Sequence, residues 1–163
     1  MRWIWICALG FALLVVQVGA VVHLAPLGGG PDLVLLFVVF LALYGPVEDA
    51  PLSGWLLGAG RDALSGGAFG LFAVLFMALS FLLSRIRDDI FLEYNTSHVV
   101  NAALATLLVY LAAAGYHLLE GAAAGVVLPA SLGVAAWNGA LAVPAFWLFW
   151  RFARALRTPR RRR

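Results

Sequence analysis

Apolar residues run in six stretches, at positions 3–24, 33–44, 52–64, 69–84, 99–119 and 126–150, with glycine, proline or charge clusters between them. The simplest reading is six membrane-spanning helices. A bilayer core takes about 20 helical residues, so the second and third stretches fall well short and are expected as short tilted spans or as a re-entrant pair. Either way the parity of the chain is unchanged. The first stretch exceeds the apolar region of about 7–15 residues found in cleaved signal peptides, and is read as a retained span.

Composition agrees with that pattern. Of 163 residues, 64% are hydrophobic and 12% charged, and the mean hydropathy is +0.97, well above the range of soluble domains. The longest polar stretch is the loop at 85–98, so residues 1–163 form one membrane domain, with 150–163 as a basic tail. All eleven basic residues are arginine, and Cys7, the single cysteine, lies within the first stretch, which leaves no disulfide framework or thiolate metal site. Arg2, Arg85, Arg87 and the tail arginines fall on one side of a six-span topology. By the positive-inside rule that side is the cytoplasm, which puts both termini there and the 26–31 and 120–125 connections outside. Arg61 is the exception.

The fragment "GWLLGAGRDALSGG", residues 54–67, carries that exception beside an aspartate. On a helix Gly54, Gly58 and Asp62 lie on one stripe, with Gly60 and Arg61 to its side. Gly54-x-x-x-Gly58 permits close helix approach, and Gly66-x-x-x-Gly70 repeats the spacing at the start of the next segment. Neighbouring residues on a helix do not face one another, so Arg61 and Asp62 each need another partner. Arg61 is expected to snorkel to the headgroups. Asp62 is expected either to cap the next helix, accepting from amides around Gly67 and Ala68, or to serve a partner protein.

The stretches "PDLVLLFVVFLAL" at 31–43 and "SGWLLGAGRDALSGGAFGLFA" at 53–73 resemble the MreD family, the small membrane subunit of the bacterial rod-shape machinery. Gly58, Asp62, Ser65, Gly66 and Gly70 fall on family positions, whereas Arg61 stands where the family has an apolar residue and is left unassigned. The resemblance implies an all-α polytopic bundle similar to the substrate-binding S-components of energy-coupling-factor vitamin transporters. It also implies a non-enzymatic partner of MreC in the cytoplasmic membrane, acting with MreB, the RodA glycosyltransferase and a class B penicillin-binding protein in lateral peptidoglycan synthesis. A vitamin-binding transporter subunit is the alternative, and Ala8-x-x-x-Ala12 in the first span suits docking of either kind.

No nucleophile with a base and no cluster of metal ligands is evident, so neither catalysis nor a cofactor is expected. His23, His98 and His117 lie near span ends, where an amphipathic ring suits the interface. Gln17, Asn101, Thr106, Tyr110 and Asn138 lie within spans and must find hydrogen-bond partners there. Interhelical bonding is the expectation, and a ligand cavity would need several of them to converge. The tail holds Arg151, Arg154, Arg157, Arg160, Arg161, Arg162 and Arg163 in thirteen residues. It emerges directly from a span and lacks aromatic residues for base stacking beyond Phe152, so it reads as an anionic-lipid anchor rather than a nucleic-acid site.

Overall fold

The computed structural model describes residues 2–19, 29–65, 68–89 and 95–155. Within them the chain forms six α-helices and no strand: α1 Arg2–Gly19, α2 Leu33–Tyr44, α3 Ala50–Ser65, α4 Leu71–Ile86, α5 Asn95–Leu119 and α6 Ala124–Ala155. A short 3₁₀ turn, Arg87–Asp89, follows α4. Thr96–Leu119 and Ala124–Arg154 are each long and apolar enough to cross a membrane, whereas Trp3–Gly19, Leu33–Tyr44 and Leu71–Ile86 are shorter apolar helices.

Helix α2 is the centre of the bundle. Val34, Leu35, Leu36, Phe37, Val38 and Val39 are all buried, so apolar residues occupy every side of the helix rather than one stripe. A helix apolar all round belongs in an interior, and α2 is surrounded by α1, α3, α4, α5 and α6. Phe37 and Phe40 stack against Phe149, with ring centroids 5.1 and 5.5 Å apart. The other helices carry their exposed apolar side chains on outward faces, as Leu104 and Leu108 do on α5 and Val74 and Phe81 on α4.

Two antiparallel hairpins enclose it, α3–α4 and α5–α6. The first is drawn tight by glycine. A Cβ added to Gly58 would stand 2.6 Å from Ala73 Cα and 2.7 Å from Ala73 N, and one added to Gly54 would stand 2.5 Å from the Phe76 carbonyl oxygen. These neighbours are backbone atoms, which cannot swing aside as a side chain could. Gly70, before α4, has φ of +100°, a left-handed conformation that glycine adopts without steric penalty.

Replacing Gly58 with alanine should therefore force α3 from α4, with a loss of about 1–3 kcal/mol as in other overpacked interiors. A Cβ on Gly115 of α5 meets nothing within 4 Å, so Gly115→Ala should be neutral or stabilising. Thermal unfolding of the two purified variants beside the parent checks this, and equal melting midpoints would contradict it.

Candidate functional site: a buried polar cluster at the start of α2

A helix leaves its first amides without intrahelical partners. The start of α2 lies inside the bundle, with Asp32, Val34, Leu35 and Leu36 fully buried, so those groups must be met by protein. Asp32 is the N-cap, and its Oδ1 accepts from Leu35 N at 2.9 Å. Gln17 on α1 bridges the preceding turn, its Nε2 donating to the Pro31 carbonyl at 2.8 Å and its Oε1 accepting from Leu33 N at 2.9 Å. From α6, Asn138 Oδ1 accepts the amide of Asp32 at 2.8 Å. Asn138 Nδ2 in turn donates to Thr106 Oγ1 at 2.9 Å, and Thr106 donates to the Ala102 carbonyl at 2.7 Å within α5.

The second oxygen of Asp32 faces the ion pair. Arg61 on α3 donates to it and, from its other amino nitrogen, to the Tyr110 hydroxyl at 2.7 Å; Tyr110 donates to the same carboxylate oxygen at 2.9 Å. The guanidinium lies over Phe72, with Cζ 3.7 Å from the ring centroid. Asp32 is fully buried and the Arg61 side chain is only 16% exposed. Five helices thus meet at one ion pair. An unpaired carboxylate here would be prohibitive in a low dielectric, and pairing with hydrogen bonds to every remaining lone pair is what makes a buried charge tolerable.

This corrects the expectation that Arg61 snorkels to the headgroups. Arg61 turns inward instead, where the buried carboxylate and the Tyr110 hydroxyl offer two charge-assisted bonds. Its neighbour Asp62 does point elsewhere. Asp62 is buried, and accepts from Gly70 N at 3.0 Å, Phe72 N at 3.2 Å and Ala73 N at 3.0 Å. It caps α4 through the amides of Gly70, Phe72 and Ala73, because a turn at residues 68–70 precedes the helix; Gly67 lies outside the described residues.

Other residues singled out in the sequence scatter. Gly54 and Gly58 line the contact with α4, and Ser65 is exposed, with its hydroxyl donating to the Asp62 carbonyl at 3.2 Å. Gly66, His23 and the arginines at 157 and 160–163 lie outside the described residues. Arg151 and Arg154 stand exposed over Trp147 and Trp150. His98 approaches the Tyr44 hydroxyl at 3.2 Å, while His117 lies 3.5 Å from Glu120 near the opposite end. Of the five polar residues within spans, Gln17, Thr106, Tyr110 and Asn138 converge and Asn101 does not. They bond to one another and to the α2 start, which is the interhelical reading rather than the lining of a cavity. Asp32 was not anticipated as a site residue, although an aspartate directly before an apolar run is an N-cap signature.

Two sets of variants follow from this geometry. Asp32→Asn or Arg61→Gln alone leaves a buried charge without its partner and should destabilise by about 3–5 kcal/mol. The double variant should recover a large part of that loss, and a thermal-unfolding cycle in detergent measures the coupling. Strict additivity would contradict the pairing. At the other cluster, Asp62→Leu should lower stability by about 1–3 kcal/mol through unsatisfied α4 amides, whereas Asp62→Asn should lose less; equal losses in the same assay would contradict the cap.

The model of the family described as rod shape-determining protein MreD matches residues 1–154. No curated protein and no solved structure is found to match the chain. With a match over nearly its whole length, and two helices fit to cross a bilayer, the chain belongs to the MreD family of membrane proteins that determine rod shape.

Proposed function

We propose that this protein is a non-enzymatic scaffold of the bacterial cell-elongation complex, holding MreC and supporting lateral peptidoglycan synthesis together with MreB, RodA and a class B penicillin-binding protein. The observation that carries the reading is the family match from residue 1 to 154. The polar cluster supports it: the charged and amide side chains within the bundle bond to protein groups, so they act as a rivet that keeps a surface rigid. The vitamin-transporter alternative gains nothing from this cluster, whose polar side chains are engaged with one another.

In this reading all six helices lie in the cytoplasmic membrane, in a fold akin to the transporter S-components, and both termini face the cytoplasm. Support comes from charge. Arg85 at the end of α4 and Arg151 and Arg154 in the last turns of α6 share one end of the bundle, because Arg87 beyond α4 donates to the Gly45 carbonyl and Trp150 packs edge-on against Tyr44. Arginine at one end marks the cytoplasmic side and favours contact with anionic lipid.

Co-expression with MreC, affinity capture from detergent and rescue of rod shape in cells lacking the native protein test the function. Expected are recovery of MreC with the chain and restored rods; rescue without MreC binding would contradict the scaffold role. Orientation is tested separately, in a Cys7→Ser background, with reporter cysteines at Glu48 and Ala122. An impermeant thiol reagent should label position 122 and spare position 48 in intact cells, and the reverse pattern would invert the topology.

A further inference from the structure

At one end of the bundle the helices start level. Tyr44 at the end of α2 meets His98 in the first turn of α5, its ring lies 5.3 Å from that of Trp150 near the end of α6, and Arg87 just past α4 donates to Gly45. From this common plane the lengths diverge. Helices α2, α3 and α4 have 12, 16 and 16 residues, and rise about 18–24 Å. From that plane α5 runs from His98 to Leu119, 22 residues, and α6 from Ala124 to Trp150, 27 residues, a rise of about 33–40 Å. Hydrocarbon is about 30 Å thick. One molecule thus presents two thicknesses to the bilayer, one above and one below that of the hydrocarbon.

A side-chain contact marks where the shorter side stops. The Phe72 ring, in the first turn of α4, lies 6.0 Å from that of Tyr110, and α5 continues beyond that point to Leu119. At this level the α3–α4 connection has Ser65 exposed and Phe69 77% exposed. Irregular backbone facing lipid does not persist at hydrocarbon depth, since its polar groups find no partner there. Arg61, a partly exposed cation, stands beside the same level, and thinning with water entry is what lowers the cost of arginine within a membrane. Below the turn, the outward face of α4 is an apolar band of Val74, Met77 and Phe81, closed at its lower edge by Arg85.

We propose that the protein thins the bilayer on its α3–α4 side: phospholipid headgroups and water of the far leaflet descend to the α3–α4 turn there, and stay at their ordinary height around the α5–α6 hairpin. A bundle shorter than the hydrocarbon is accommodated by such thinning at modest cost per ångström. The occupant of the step above α3 and α4 is lipid headgroup.

The test uses the full chain in a Cys7→Ser background, in dioleoyl phosphatidylcholine bilayers, with a nitroxide at Phe69→Cys or at Leu111→Cys. Leu111 is exposed on the outward face of α5, one residue beyond Tyr110. Relaxation by oxygen reports hydrocarbon, and relaxation by a water-soluble nickel chelate reports water. The Phe69 label should respond to the chelate several-fold more than the Leu111 label, which should respond to oxygen. An oxygen-dominated Phe69 label would overturn the proposal, as would one shielded from both reagents, because protein would then cover the turn.

Discussion

A helix that begins inside a bundle, buried from solvent, has no water to meet its first amides, so the protein itself must supply the partners. That constraint falls on α2, and the arrangement of the other helices answers it. Gln17 of α1 spans the turn before the helix, Asn138 of α6 takes the amide of Asp32, and Asp32 caps the helix from within. The carboxylate is a strong cap, since it places negative charge against the positive end of the helix dipole. A buried charge then requires a counter-charge. Arg61 of α3 supplies it, with Tyr110 of α5 joining the two.

The small residues of α3 belong to the same account. Gly54 and Gly58 let α4 approach to backbone contact, which brings the α4 amides onto Asp62 and the Phe72 ring under the Arg61 guanidinium. Two adjacent charges on α3 thereby organise two different helix starts, Arg61 that of α2 and Asp62 that of α4. Rigidity of this kind suits a protein whose family determines cell shape.

The helices were largely legible from the chain. Six apolar stretches became six helices among the described residues, and the second and third are short, as their lengths required. Gly54 and Gly58 announced close packing by spacing alone. The capping role of Asp62 could be read in kind, and the turn at 68–70 sets which described amides it takes, those of Gly70, Phe72 and Ala73. Arg61 could not be read, since its partner lies 29 residues away and on another helix. The pairing of Asp32 with Asn138 across 106 residues is equally beyond any local pattern. Residue type told that Gln17, Thr106, Tyr110 and Asn138 needed partners; only the packing of α1, α5 and α6 around α2 told which. A better reading was available at Asp32 itself. An aspartate capping a helix too short to span a bilayer predicts a buried carboxylate, and the cation nearest that depth is Arg61.

Amide hydrogen exchange in lipid nanodiscs, resolved by residue, tests the central claim most directly. If the start of α2 is held as described, the amides of Asp32, Leu33 and Leu35 exchange as slowly as those of Val38 and Val39 in the helix interior, because Asn138, Gln17 and the Asp32 carboxylate hold them. Exchange at Asp32 and Leu33 as fast as at Ala123 in the exposed α5–α6 connection would show that water, not protein, meets the start of α2, and would contradict the account.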